Sequence, residues 1–309
     1  MKNTGIFNSL VAQLDKLARH NRQGSFRTKE RYYEAAKRFC AYLADEYRLQ
    51  KLSNISGKHL VSYILYMQEQ SKSASTIKTD LAAIRFFHDK MENAKYRLPD
   101  NDALGVELER RSFGGVDRTW SEAEFNRMLA VAASKGRDDY ILALYLGRLA
   151  GLRIHECFRI DTAAAERALR ENALTIKGKG GKVRAVPIED ERISMALKKR
   201  LAVTVRGHKL IVPDDKRTDI AIKELQQFIA EHRAEVQDGN DAPPLTFHGL
   251  RHTYAAEKYR QLIEGGLPPL DAHYEVSRLL GHERPDVTNI YLASLGKEAP
   301  CEKQSPLCR

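Results

Sequence analysis

The sequence predicts a mainly α-helical protein with one small β-hairpin, an α+β chain organised as two domains. Three observations support this fold class. Apolar residues recur at helical spacing along most of the chain, and one segment, 173–188, has β-rich runs on either side of glycines. A polar stretch over 97–119 interrupts the helical pattern. The 309 residues also have the length of about two domains.

Residues 1–96 are predicted to form a helical domain. Its four predicted helices carry apolar side chains on one face and charged ones on the other, so they can pack around a shared core. The third helix is predicted over 58–70. The apolar faces of the other three consist of Ile6, Leu10, Leu14 and Leu17, then Tyr32, Ala36, Phe39, Leu43 and Tyr47, and finally Ile77, Leu81, Ile84, Phe87 and Met91.

Residues 97–119 combine Pro, Gly, Asp and Arg without apolar periodicity, which predicts a linker. A helix restarts after Ser121, because Glu124 follows at capping-box spacing. A second domain is therefore predicted over 120–309, ending in a tail with little apolar content. It is mostly helical apart from the hairpin over 173–188, with further helices over 141–150, 190–203, 217–237, 247–264 and 271–281.

The chain is basic, with 51 Lys and Arg against 41 Asp and Glu, a formal net charge of +10 and a pI near 9.3. Basic domains attract polyphosphates such as nucleic acids through counterion release. Mean hydropathy is −0.50, and no apolar run approaches the about 18 residues of a membrane span. Since no signal-peptide core is visible either, the sequence predicts a cytoplasmic protein with no membrane partner.

Two basic motifs each allow a structural and a functional interpretation. Arg153 in GLRIHE follows an apolar helix, and Glu156 can pair with it, either as a structural ion pair or as part of a site. The segment KGKGGKVR over 177–184 lacks the GxxxxGK[ST] pattern of a P-loop. It is either a solvated basic hairpin or a hairpin that carries a lysine into a nucleic-acid groove, where Lys179 at the tip reaches furthest.

Two further motifs lie near the end of the second domain. In FHGLRHTYA, His248 and Arg251 share one helical turn and can flank an anion. His248 and His252 have zinc-ligand spacing, but Gly249 stands where HExxH needs glutamate. In LLGHERPDVTNIYL, Tyr291 alone would favour apolar packing. The four cysteines form no CxxC pair, and no metal-ligand cluster or cofactor motif is visible, so neither metal nor cofactor is predicted.

Taken together, these side chains suit chemistry on a phosphodiester. Arginine forks grip nonbridging oxygens and stabilise the charge of a pentavalent transition state. Histidines donate hydrogen bonds or exchange protons, a lysine can protonate the leaving oxygen, and a phenol can be the covalent nucleophile. The candidates for these roles are Arg153, Arg251, His248, His282, Lys179 and Tyr291.

In order, the motifs GLRIHE, IKGKGGKVRAVPI, HGLRH and LLGHERPDVTNIYL resemble those of the tyrosine recombinase family, the phage-integrase type of site-specific recombinase. They span 151–292, and the helical N-terminal domain resembles the SAM-like core-binding domain of that family. The resemblance implies a two-domain C-shaped clamp around DNA, with core binding by 1–96 and catalysis by 120–309.

The resemblance also implies a role for each matching residue. Arg153 and Arg251 are the catalytic arginines, Glu156 supports Arg153, and His248 and His282 fill the two histidine positions. Lys179 is the general acid toward the 5′ oxygen, with Lys177 and Lys182 as rivals, and Tyr291 is the nucleophile. Lys177, Lys182 and Arg184 are candidate DNA-binding residues.

The implied reaction is cleavage and rejoining of DNA through a 3′-phosphotyrosyl link, without metal or ATP, with strands exchanged through a Holliday junction. The implied partners are double-stranded DNA carrying a specific recombination site, three further copies of this chain in a tetramer on DNA, and accessory DNA-bending or directionality proteins. The implied setting is the nucleoid of a bacterial or phage-infected cell. Two alternatives remain open: a DNA-binding protein with this fold but without the reaction, and a monomeric type IB topoisomerase.

Overall fold

The computed structural model describes residues 2–19, 26–108, 116–178, 181–239, 242–281, 285–292 and 295. The chain folds as two compact units, Met1–Arg111 and Ser112–Arg309. The first is helical and the second is helical with a two-stranded antiparallel sheet, which confirms the predicted α+β class. No helix within the described ranges has the length and apolarity needed to cross a membrane.

The first unit packs four helices around an apolar core. These are α1 (Thr4–Arg19), α2 (Phe26–Tyr47), α3 (Gly57–Glu69) and α4 (Ala74–His88). The predicted apolar faces point inward, with Leu10, Phe39 and Leu81 at 2% exposure or less. Residues at the ends of the predicted faces are less buried; Tyr47, for example, is 36% exposed. Leu98 and Leu104 extend the same core beyond α4, so part of the segment predicted as a linker packs on this unit.

The second unit is built around two helices that pack against each other. In chain order its elements are α5 (Glu122–Ser134), α6 (Asp138–Leu149), α7 (Ile154–Cys157), α8 (Thr162–Glu171), β1 (Ala173–Lys177), β2 (Val183–Pro187), α9 (Glu191–Leu201), α10 (Thr218–Glu231), α11 (Arg233–Val236), α12 (Phe247–Glu264) and α13 (Pro269–Leu280). Helix α12 lies against α6 where Gly147 offers no side chain: a Cβ there would be 2.9 Å from Phe247. This close approach fixes α12, which carries the HGLRH motif, at the centre of the unit.

Local signals explain several helix and strand ends. The capping box predicted at the start of α5 is present, since Ser121 Oγ accepts from the Glu124 N–H and the Glu124 carboxylate accepts from the Ser121 N–H. In the hairpin, Leu174 pairs with Val186 and Ile176 with Arg184, so one face of the ribbon is buried. The helix predicted over 217–237 is interrupted at His232, whose ring packs on Phe228 while its Nδ1 pairs with Glu235.

The segment around Tyr291 packs within the second unit. Residues Pro285–Ile290 form a 3₁₀ helix, followed by Tyr291 and Leu292. Leu292 and Tyr291 join a small apolar cluster with α12 and α13, and the His273 Nε2 and Asn289 Oδ1 atoms are 2.9 Å apart. The tyrosine is thus held by helices of its own chain.

Candidate active site

The turn that carries Arg153 depends on Gly151, which follows α6. Gly151 has a backbone φ of +62°, and a Cβ there would lie 2.7 Å from Cε1 of Tyr254 on α12. Because position 151 has no side chain, α12 packs directly on this turn. The Gly151 carbonyl oxygen then accepts a hydrogen bond from the Arg251 guanidinium. The turn therefore brings together the two arginines that the sequence predicted to act together.

Glu156 is the buried carboxylate of the site, with no exposed side-chain surface. The Arg153 N–H donates to Oε2 at 2.8 Å, and Arg153 Nη1 donates to Oε1 at 3.2 Å. The Arg184 guanidinium donates to both oxygens, at 2.9 and 2.8 Å. Burial alone would raise the pKa of Glu156, but the hydrogen bonds and charge of Arg184, with Arg153, outweigh it and hold the pKa at about 2. Glu156 is therefore ionised at neutral pH and orients Arg153.

Arg184 differs from its expected position among solvent-facing basic residues. It lies across the hairpin from Ile176, which is 5% exposed, so its side chain starts from the buried face of the ribbon. The side chain is 12% exposed and also donates from Nε to the Leu279 carbonyl at 3.0 Å. The register of the hairpin thus turns Arg184 inward, where it joins β2 to Glu156 and to α13.

The C-terminal end of α13 receives three arginines on two neighbouring carbonyl oxygens. Arg184 donates to the Leu279 oxygen, while Arg251 Nη2 at 2.5 Å and Arg153 Nη1 at 3.4 Å donate to the Leu280 oxygen. The C-terminus of a helix has partial negative charge and unsatisfied carbonyls, which favours cations there. The end of α13 therefore shares with Glu156 the task of holding these guanidinium groups in place.

Helix α12 supplies His248 and Arg251 from its first turns. The helix begins where Thr246 Oγ1 accepts from the Gly249 N–H at 3.3 Å. Arg251 is fully buried, and burial, with the charge of Arg153, lowers its pKa to about 10. It is therefore still protonated at neutral pH, which places a fixed positive charge inside the site.

Tyr291 lies beside these cations and is only 6% exposed. Its ring centroid is 5.4 Å from Cζ of Arg251 and 5.3 Å from the ring centroid of His248. The phenol also interacts with the Arg251 guanidinium through its hydroxyl. The tyrosine, the second arginine and the first histidine of the sequence motifs thus meet at one place.

His252 is a member of the site that the sequence did not select. Its ring centroid is 4.6 Å from that of Tyr291, with the two planes inclined by 37°, and 5.1 Å from that of His248. Burial, with the charges of His248 and Arg118, lowers the pKa of His252 to about 4, so the ring is neutral at pH 7. The available signal was its position one helical turn after His248, on the same face of α12.

His248 is the histidine of this pair that reaches solvent. Crowding by the surrounding protein, together with the positive charges of Arg251, Arg153 and Arg118, lowers its pKa below the ordinary value. A neutral imidazole beside a phenol can accept the phenolic proton or donate a hydrogen bond to an anion. No three His, Cys, Asp or Glu side chains within the described ranges are grouped so that they could hold a metal ion.

The remaining predicted residues belong to the hairpin turn and to the segment after α13. Lys179 and His282 lie outside the residues that the structure describes. Lys177 and Lys182 are exposed where the two strands meet the turn, and the Gly178 N–H donates to the Lys182 carbonyl at 2.7 Å. The two lysines therefore flank the segment that contains Lys179.

The arrangement can bind and attack a phosphodiester. Arg153 is 29% exposed at its side chain, so its charge is open to an anion, whereas Arg251 is fully buried. The Tyr291 hydroxyl interacts with Arg251, and the buried Glu156 carboxylate pairs with Arg153. A phenol, an imidazole and guanidinium groups thus lie together, as chemistry on a phosphodiester would require.

Comparison with known proteins matches both units. The model of the "Phage integrase family" matches residues 118–298, and that of "Phage integrase, N-terminal" matches residues 7–92. The tyrosine recombinase XerD of Halalkalibacterium halodurans is 25% identical over 275 residues, covering 85% of this chain and 86% of that protein.

Two solved structures show the same fold at low sequence identity. A lambda integrase dimer bound to a COC′ core site is 16% identical with a TM-score of 0.64, covering 97% of this chain and 98% of that one. A lambda integrase tetramer bound to a Holliday junction is 15% identical with a TM-score of 0.63, covering 96% of this chain and 80% of that one.

Proposed function

The chain belongs to the phage integrase family, and from that premise we propose that it is a site-specific DNA recombinase acting through a 3′-phosphotyrosyl intermediate. The contact of Tyr291 with Arg251 and His248 carries this proposal, because it places a phenol against groups suited to a phosphoryl transition state. The identity to a bacterial tyrosine recombinase over most of both chains supports it.

In the proposed reaction, the Tyr291 oxygen attacks the scissile phosphorus while the bond from phosphorus to the 5′ oxygen breaks. The phenolic proton passes to His248 or to water, and the departing 5′ oxygen takes a proton from the general acid. Arg153 and Arg251 bind the nonbridging oxygens, and Glu156 keeps Arg153 in position. Attack by the 5′ hydroxyl of a partner duplex reverses these steps, so the reaction conserves the phosphodiester energy and needs no ATP.

Three assignments in this reaction depend on the family resemblance. Lys179 is proposed as the general acid, and His282 as a hydrogen-bond donor to the phosphate. Their motifs stand at compatible spacing, with Pro187 eight residues after Lys179 and Tyr291 nine residues after His282. Lys177 and Lys182, which are exposed beside the turn, are proposed to contact DNA.

The two units are proposed to divide the work of binding and catalysis. The first unit, which matches the N-terminal family model, binds the core site, and the second carries out cleavage. The basic net charge of +10 supports broad contact with phosphates. We further propose that four copies act together on two DNA sites in the bacterial cytoplasm; the fold shared with a tetramer bound to a Holliday junction supports this assembly.

Covalent trapping on a nicked substrate tests the proposal. A binding site is first selected from a pool of random duplexes with the Tyr291→Phe protein, and the selected sequence is then built into a duplex with a nick near the cleavage point. In EDTA, the wild-type protein is expected to form a denaturation-resistant protein–DNA complex. The Tyr291→Phe protein should bind the same DNA and form none. A covalent complex with Tyr291→Phe would refute the nucleophile assignment.

The same material separates the two alternative functions. A DNA-binding protein without the reaction would select a site but never form the covalent complex. A type IB topoisomerase would relax supercoiled plasmid without site preference. The recombinase should instead join two duplexes that both carry the selected site, and it should leave plasmids without the site unchanged.

A further inference from the structure

The segment just before α5 is fastened to the first turns of α12. Trp120 is 2% exposed; its Nε1 donates to the Thr246 carbonyl at 3.0 Å and its backbone N–H donates to Thr253 Oγ1 at 2.8 Å. These bonds bracket the stretch of α12 that carries His248 and Arg251. The residues preceding Trp120 are therefore held against the catalytic helix rather than left to move independently.

Gly249 makes this attachment close. A Cβ at Gly249 would lie 2.5 Å from the Arg118 carbonyl oxygen and 2.7 Å from Trp120 Nε1, distances that real Cβ atoms do not reach. Gly249, the second residue of the HGLRH motif, thus leaves room for the main chain of Arg118. The Arg118 carbonyl is consequently packed against Gly249, the residue that follows His248 in α12.

The side chain of Arg118 extends from this fixed point to the surface beside the site. Arg118 is exposed, and its positive charge contributes to the lowered pKa of both His248 and His252, so the guanidinium lies near the two rings. The neighbouring Asp117 carboxylate is engaged by the N–H and hydroxyl of Thr119, at 2.8 and 2.7 Å. Within the described ranges no carboxylate forms an ion pair with Arg118.

We propose that Arg118 binds a DNA phosphate next to the scissile one, as a phosphate-binding residue in addition to the two arginines in the centre of the site. This inference rests on the proposed function. In the proposed reaction Arg251, which is fully buried beside Tyr291, and Arg153, which is held by Glu156, are assigned to the scissile phosphate. Phosphates recur about every 3.4 Å along the axis of each strand, so a neighbouring one must lie beside the site. An exposed guanidinium anchored at its backbone can bind it through two N–H groups of its fork.

The salt dependence of DNA binding provides the first test. Each phosphate contact contributes about −0.9 to the slope of log K against log salt. Arg118→Gln is expected to reduce the magnitude of the slope by about that amount and to weaken binding about five- to tenfold at moderate salt. Arg118→Lys should restore most of the slope. Arg206→Gln, which removes an exposed arginine from the loop after α9, serves as the matched control and should leave the slope unchanged.

A second test identifies the phosphate itself. Single neutral methylphosphonates are placed at successive positions around the cleavage point of the selected site. At one of these positions the methylphosphonate should weaken DNA binding by the wild-type protein about five- to tenfold. The same methylphosphonate should not weaken binding by Arg118→Gln further, because that variant has already lost the contact. An unchanged salt slope in Arg118→Gln, or independent losses at every position, would overturn the proposal.

The outcome for Arg118 can be separated from that for the reaction. If wild-type protein forms no covalent complex with the nicked substrate, the proposed function fails. If the covalent complex forms but Arg118→Gln shows the wild-type salt slope and additive methylphosphonate losses, only the role of Arg118 fails. Arg118 is exposed, so its replacement should not unfold the protein, and the melting temperatures of the variants check this directly.

Discussion

Replacing Glu156 by Gln should lower the free energy of unfolding of the second unit by about 3 kcal/mol at neutral pH. The folded protein lowers the pKa of this carboxyl from 4.5 to about 2, which corresponds to about 3 kcal/mol in favour of the ionised form. Removing one partner of a buried ion pair costs about 3–5 kcal/mol in general, in agreement with this value. The glutamine keeps the size of the side chain but leaves Arg153 and Arg184 without their counter-charge.

The effect must also depend on pH with a defined sign. Because the folded state depresses the pKa, the stabilisation by Glu156 is complete above the unfolded value of 4.5 and disappears as the pH falls toward about 2. The difference in the free energy of unfolding between wild type and Glu156→Gln should therefore be constant from pH 7 to about 5. At about pH 3 that difference should be smaller by roughly half.

Urea unfolding followed by tryptophan fluorescence measures this gap in the relevant unit. The chain has one tryptophan, Trp120, which is buried in the second unit, so its emission reports the unfolding of that unit. Glu166→Gln is the matched control, since Glu166 is an exposed glutamate on α8 of the same unit. A gap that stays the same from pH 7 to 3, or an equal loss in Glu166→Gln, would refute the argument.

Three further outcomes are expected. Gly151→Ala should lower the free energy of unfolding by more than about 2 kcal/mol, because φ is +62° and the methyl group would meet the ring of Tyr254. Gly136→Ala is the control: φ is +65° there but no atom is close, so the free energy of unfolding should fall by about 1 kcal/mol. Equal losses in the two variants would contradict the packing argument. His252→Ala should slow single-turnover cleavage about 10- to 100-fold, while His252→Phe, which keeps a ring against Tyr291, should lose less; identical rates for the two variants would exclude positioning by the ring. The pKa of His252 is about 4 and that of His248 is below its ordinary value, so both rings are neutral at pH 7. The rate of DNA cleavage should therefore show no break near pH 6.5. A break at that pH would contradict the neutral state of the two rings.

Much of the fold was predictable because its information is local. The apolar stripes through Leu10, Phe39 and Leu81 identify faces that must be buried, and these residues do form the core of the first unit. The capping-box spacing of Ser121 and Glu124 marks a helix start that the structure confirms. The predicted membership in the phage integrase family is confirmed by the family model that matches residues 118–298. It was predictable because several short motifs at compatible spacings are specific together even where each is weak alone.

The parts that were not predictable depend on contacts between distant segments. Arg184 belongs to a run of basic residues, and only the pairing of position 184 with Ile176 turns it toward Glu156. His252 acquires its importance from the ring of Tyr291, which lies beyond a further helix in the chain. Arg118 is adjacent to the site only because Gly249 lets its main chain approach. The roles of the individual site residues stay predictions until the cleavage experiments are done.

The end of α13 has a consequence for how this sequence can drift over evolutionary time. The oxygens that receive Arg153, Arg184 and Arg251 there belong to the main chain of Leu279 and Leu280, so no side-chain identity encodes them. Substitutions among apolar helix formers at these two leucines preserve the acceptors, whereas an insertion or a proline that moves the helix end displaces all three guanidinium groups together. The positions of these three guanidinium groups thus depend on the path of the main chain. The residues around the end of α13 can therefore change while the three arginines stay in place.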